Sequence, residues 1–357
     1  MTRLDVCLGA AELLRMREDM CVQTAPANRL MKRTGLAMTY LRGTTFREQT
    51  ATRQLDLWTK PAALPAPVQT DTAWISGFLR ALIQTASPAA VREFFRELDS
   101  KDALLSRLGW VLMAVVPVFA ALALLVPGTF HAINPWIKPI KFSLSFSTFA
   151  STISLFLLTL RIPEWQLRLA RRAIAGSVAL EIFSLGAQAW RNIYAAGSHM
   201  LVDSLLAQMT NSMVMVNTAI VIAMFALFCA NRVQSSLVDR PMLAAIRYSI
   251  GIFLVGNAVG GYMLARGSHT VGIADGGPGL PFVNWSIIGG DLRIAHFIAI
   301  HAIQIVPLFA YVLSQMAPIP TVKQRKIAVA ALAIAVGLAV GVTFVQAAMG
   351  RPLLSIH

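Results

Sequence analysis

The sequence predicts an all-α, polytopic transmembrane helical bundle of about seven helices, preceded by a partly disordered N-terminal cytoplasmic extension. Three observations carry this. Of 357 residues, 56% are hydrophobic and only 13% charged, where a soluble domain carries about 25% charged residues. The charges crowd into the chain before residue 107. After it, long apolar runs recur, each near the roughly 20 residues that cross a hydrocarbon core about 30 Å thick.

Residues 1–60 are polar and Arg-rich without a clear period and are expected to be poorly ordered, and Pro61, Pro65 and Pro67 then make a stiff linker that completes the 1–70 extension. The opening residues mix Asp5, Glu12, Glu18 and Asp19 with Arg3, Arg15 and Arg17. No apolar signal segment follows, so the first span is expected to direct insertion.

Two amphipathic helices are predicted within 71–107. Asp71 caps the first, and Trp74, Phe78, Leu79 and Leu82 share one face. Pro88 opens the second, where Val91, Phe94, Phe95 and Leu98 oppose Arg92, Arg96 and Glu97. Such helices suit either the inner membrane surface or the underside of the bundle.

The predicted membrane domain is 108–349, with spans at 108–126, 141–160, 173–192, 209–230, 243–263, 292–313 and 327–349. Residues 264–291 form a lid loop and 350–357 a tail. Lys and Arg set the orientation. Arg161, Arg168, Arg171 and Arg172 fall between spans two and three, Arg232 and Arg240 between four and five, and Lys323, Arg325 and Lys326 between six and seven. Cytoplasmic loops collect such charge. The N-terminus is therefore expected inside a bacterial-type inner membrane, with the lid and C-terminus outside.

The net charge of +14 follows from the same bias, and no nucleic-acid motif accompanies it. The expected partner is the lipid bilayer, with a small-molecule or lipid substrate and no nucleic acid; oligomeric state is not legible. Cys7, Cys21 and Cys229 lack metal-ligand spacing and read as free thiols. Gly256 and Gly260, Gly337 and Gly341, and the stripe Ser143, Ser147, Ser151 and Ser154 predict close helix packing. Trp110, Trp136, Trp165, Trp190 and Trp285 fall near predicted helix ends, as interfacial aromatics do.

Ionisable groups inside a membrane are costly, so each is a candidate functional residue. Span three carries Ser177, Glu181, Ser184, Gln188 and Arg191 at steps of four, three, four and three, all on one face. Span six carries Asp291, Arg293, His296, His301 and Gln304, with Asp291 placed as an N-cap and Pro307 placed to kink the helix. His296 and His301 are five apart and do not share a face, which excludes an HExxH-type zinc pair. Asn211 and Asn217 lie on span four, Asn257 on span five, and Lys138 and Lys141 at the outer start of span two. At about 1.5 Å per residue, Gln188, Asn211 and His296 lie roughly 3–6 Å deep and Glu181, Asn217 and His301 roughly 12–17 Å.

These residues predict an outward-facing polar pocket formed by spans two to six. Glu181, His296 and His301 are the candidate catalytic groups, as acid and base. Lys138, Lys141, Gln188, Arg191, Asn217, Asn257, Asp291, Arg293 and Gln304 are expected to bind substrate, together with His269 and Asp275 from the lid. His199, Asp203 and His301 are the candidate metal ligands, and no cofactor is identified. Glu181 is expected to pair with Arg191 through Gln188, or with His301 across the bundle.

Three function classes compete: a membrane-embedded enzyme or cofactor protein, a transporter or channel for a small solute or proton, and a sensor or assembly factor. The one-sided polarity favours the first, because a transport path continues to the other side. A retinal protein is excluded, since span seven has no lysine for a Schiff base.

Overall fold

Among the described residues, seven helices are long and apolar enough to cross a membrane, and the chain is a multi-pass membrane protein. The computed structural model describes residues 88–126, 134–191, 201–234, 236–315 and 321–354. All belong to one compact unit within Gln69–His357. The helices are α1 (Pro88–Lys101), α2 (Ala103–Leu125), α3 (Ile137–Thr159), α4 (Glu164–Trp190), α5 (Leu201–Cys229), α6 (Arg240–Arg266), α7 (Leu292–Gln315) and α8 (Val322–Ala348). The spans extend beyond their apolar stretches because the polar ends are helical too. The lid accordingly begins at Gly267, a left-handed C-cap with φ 64°, rather than at 264.

Pro88 opens α1 as expected. Leu98 is fully buried against Leu158, with Phe95 beside it. Of the two placements open to this amphipathic helix, it takes the one against the bundle. The helix predicted at 71–86 lies outside the described residues.

The corner between α1 and α2 is fixed by Asp102. Its Oδ1 caps α2 by accepting from Leu105 N–H. Its Oδ2 accepts from the Ser154 hydroxyl of α3 and from Arg171 Nε of α4, each at 2.9 Å. One buried carboxylate thus ties four helices together.

Small residues set the helix contacts. Ser147 donates to the Gly109 carbonyl at 3.0 Å, and a Cβ on Gly109 would lie 3.4 Å from Ser151 Oγ, so the serine stripe packs on α2. Gly256 and Gly260 bring α6 against α7: added Cβ atoms would lie 2.8 Å from Ala299 Cβ and 3.0 Å from His296 Cε1. The Gly337 and Gly341 pair differs from expectation, since it faces outward with nothing within 4 Å. Trp136 also differs: it is buried, stacking on Phe119 and meeting Trp190 edge-on.

The main core joins α2 through α7 around Phe149, Ile153, Leu157, Val178, Leu185, Phe228, Ile250 and Phe253. α8 packs on α6 and α7. At one end the loops are stitched together. Leu160 bridges Val233, Arg161 N–H donates to the Arg232 carbonyl, and Arg325 pairs with Asp239. At the other end lies the lid. Its β1 (Thr270–Val271) pairs antiparallel with β2 (Gly290–Asp291), Thr270 opposite Asp291. Gly290 is required there: a Cβ would fall 2.0 Å from the Ala347 carbonyl oxygen.

Candidate functional site

The polar face of α4 meets α5 in a regular antiparallel register. Ser177 Oγ lies 2.8 Å from Asn217 Oδ1. Ser184 Oγ lies 2.9 Å from Thr210 Oγ1. Gln188 Nε2 reaches Ser184 Oγ, Thr210 Oγ1 and the Leu206 carbonyl. Arg191 Nε donates to Asp203 at 2.6 Å. Each step up α4 is matched by the same step back along α5, as two in-register antiparallel helices require. Together these contacts form a polar seam from the lid end towards the middle of the bundle.

Continuing the same register sets Glu181 opposite Met213, whose side chain offers it no hydrogen-bond donor. The glutamate is fully buried, and among the described residues neither carboxylate oxygen has a hydrogen-bond partner. Asn217 Nδ2, Ser143 Oγ and Trp136 Nε1 are likewise buried without partners. Native structures pair nearly all such groups, so these four side chains, on α3, α4, α5 and the residue before α3, are exceptions among the described residues. The charge acting on Glu181 is that of Lys138, near the start of α3. Neither expected pairing of Glu181 forms. Gln188 is engaged within the seam, and Arg191 is turned to Asp203.

The second cluster lies at the lid. Asp275 accepts from the backbone N–H of His269 and Thr270, the Thr270 and Ser268 hydroxyls, and faces His269 Nδ1 at 2.9 Å. Burial pushes the Asp275 carboxyl up. The Thr270 hydroxyl, the His269 and Thr270 amides and the His269 charge outweigh it, holding the carboxyl well below the usual range. The His269 imidazole is pushed down by burial and by the Arg293 charge, against the pull of Asp275. Asp291 caps the start of α7 through Arg293 N–H, as its position predicts. It also takes a two-pronged bond from Arg293 and accepts from Ser286 N–H. Lys141 Nζ donates to the Val283 carbonyl at 3.3 Å.

The remaining residues are distributed along α6 and α7. His296 Nδ1 lies 2.7 Å from the Gly256 carbonyl oxygen, which joins α7 to α6. The His301 ring sits 4.5 Å from that of Phe297, which meets Trp285 of the lid edge-on. Gln304 Oε1 is buried without a partner, and Asn257 is half-buried beside Gly256. Pro307 lies inside α7 without ending it.

The candidate residues therefore fall into two groups. Glu181, Gln188, Arg191, Asp203 and Asn217 line the α4/α5 seam. Lys141, His269, Asp275, Asp291, Arg293, His296 and His301 gather at the lid, α6 and α7. Lys138 links them, since its charge acts on both Glu181 and Lys141. Of the candidate metal ligands, Asp203 is bonded to Arg191, His301 stands on another helix, and His199 lies outside the described residues. Among the described residues no three of His, Cys, Asp or Glu converge as a ligand set.

Sequence reasoning passed over Thr210 and read Trp136 as an interfacial aromatic, not as a buried one. Thr210 was detectable, lying two helical turns from Asn217 on the same face of α5. No protein-family model, curated protein or solved structure matches the chain.

Proposed function

We propose that the protein binds a small molecule or lipid headgroup at Glu181, in an intramembrane polar pocket entered from the lid end, and acts on it as a membrane-embedded enzyme. One observation supports this above the others: Glu181 is the ionisable member of the polar seam, and among the described residues neither of its two buried oxygens has a partner. A buried unpaired carboxylate is expensive. A bound molecule with donor groups would complete the seam, with the Asn217 amide and Ser143 hydroxyl offering further contacts. A carboxylate held out of water beside a lysine suits proton exchange with such a molecule.

The pocket faces the extracytoplasmic side in this reading. The Lys and Arg of the 161–172, 232–240 and 323–326 stretches gather at the end away from the lid, which supports an inner-membrane protein with a cytoplasmic N-terminus. Cysteine labelling at position 236 tests that orientation: reaction only after the membrane is opened is expected, and reaction in intact cells overturns it.

Native mass spectrometry of the detergent-purified protein tests the binding. A small molecule or lipid that stays with the wild type and is lost from Glu181→Gln supports the proposal. Identical bound species in both proteins, or none in either, contradicts it. Solute uptake by proteoliposomes that depends on Glu181 assigns transport instead.

A further inference from the structure

We propose that the underside of the lid is an oxyanion site, formed by Lys141 and Arg293, in which the lid's own Val283 and Asn284 carbonyl groups stand where the oxygens of a phosphate or carboxylate would bind. Lys141 comes from α3 and Arg293 from α7, yet they donate to adjacent carbonyls of a single turn. Two cations from separate helices thus meet consecutive carbonyl groups of one turn.

The charge balance points the same way. Arg293 is paired with Asp291, whereas Lys141 forms no ion pair among the described residues. The charges of Arg293 and Lys138 both act on Lys141. Lys141 and Arg293 therefore bring two cations to one bonded carboxylate, Asp291, in a partly buried setting. An amide carbonyl is a weaker acceptor for an ammonium than an oxyanion, whose charge-assisted bonds are roughly twice as strong.

The turn that fills the site is itself under strain. Phe282 and Asn284, flanking Val283, have φ of 64° and 55°; asparagine tolerates this left-handed conformation, but it is unusual for a side chain as bulky as that of Phe282. The Phe282 side chain is half-exposed. Strained backbone persists only where surrounding contacts hold it, and here Lys141 and Arg293 are two of those contacts. An oxyanion that captured Lys141 would release one and let the turn relax. Trp285, next in the chain and packed on Phe297, would report the change. This site is distinct from the Glu181 pocket and carries its own signal.

The test uses the full chain in a zwitterionic detergent. Inorganic phosphate is titrated at constant ionic strength while fluorescence is followed, with Trp285→Phe as the control that identifies the signal. A saturable change is expected. It should weaken at least about tenfold in Lys141→Gln, for loss of a charged hydrogen-bond donor, and persist in Lys141→Arg. A second arm replaces free phosphate with phosphatidylglycerol in nanodiscs, against phosphatidylcholine nanodiscs. A response to that lipid alone assigns the site to a headgroup, and a response to free phosphate assigns it to a soluble anion. No saturable response in either arm, or equal responses from wild type and a folded Lys141→Gln, overturns the proposal.

Discussion

His296 of α7 lies against Gly260 of α6, where a Cβ would come within 3.0 Å of the imidazole, and its Nδ1 faces the Gly256 carbonyl oxygen at 2.7 Å. The histidine and the GxxxG pair are one packing unit. Without water in the bilayer, helices associate through close contact and hydrogen bonds, and α6 and α7 share the most extensive interface of the bundle.

Gly256→Ala is therefore expected to destabilise the protein by about 1–3 kcal/mol, the usual cost of overpacking. Its Cβ would meet Ala299 Cβ at 2.8 Å and the Ile300 backbone nitrogen at 3.1 Å. Gly337→Ala, open on all sides, is expected to stay within about 0.5 kcal/mol of wild type. Thermal unfolding in detergent compares them, and equal effects would refute the assigned packing faces.

Asp102 and Arg171 form a buried pair at 2.9 Å, their side chains 1% and 14% exposed. Removing one partner strands the other, and Asp102→Ala is expected to cost about 3–5 kcal/mol. Asp102 also caps α2 and holds Ser154. Asp102→Ala combined with Arg171→Met should consequently recover part of the loss but not all. A double-mutant cycle measures this, and strictly additive losses would show that the pair is not coupled.

The lid is expected to loosen in mild acid. Its fold favours neutral His269, whose pKa is lowered by burial and by Arg293. The stability this contributes is complete above the ordinary imidazole value near 6.5 and declines as pH falls through the folded value below it. Asp275 also has a lowered pKa, so its contribution is complete above the ordinary carboxylate range and survives until the acid is much stronger. The unfolding temperature, followed from pH 7.5 to 5.5, should fall less in His269→Gln than in wild type. With half the His269 side chain exposed, the difference is small, and parallel curves would exclude the histidine.

The α4/α5 register makes a constructive prediction. By that register Met213→Gln places an amide opposite Glu181, and a net hydrogen bond is worth about 0.5–1.5 kcal/mol. The variant should be more stable than wild type, and the gain should vanish in a Glu181→Ala background. The same substitution should displace any molecule that Glu181 holds. No gain in stability would mean that the two residues do not face each other.

Helix number, span positions and the shared polar face of α4 were legible because each is written in local periodicity. The GxxxG pair of α6 was legible as a packing motif but not its partner, since identical spacing in α8 faces outward. The Asp102 cluster was hidden because its members sit at positions 102, 154 and 171, in three separate helices or caps, and no spacing rule joins them. Glu181 was visible as a buried acid. That it has no partner among the described residues depends on Arg191 choosing Asp203 and on a register that runs Glu181 opposite Met213, which only the packing of two helices decides.

Accessibility at position 181 tests the proposed pocket most directly. In a background with Cys7, Cys21 and Cys229 replaced by serine, Glu181→Cys is reconstituted in liposomes and treated with a small water-soluble methanethiosulfonate from each side in turn. Labelling from the lid side, and not from the side bearing Arg232 and Arg325, is the predicted result. Failure to label from the lid side, or labelling from the opposite side, would contradict a pocket that opens towards the lid.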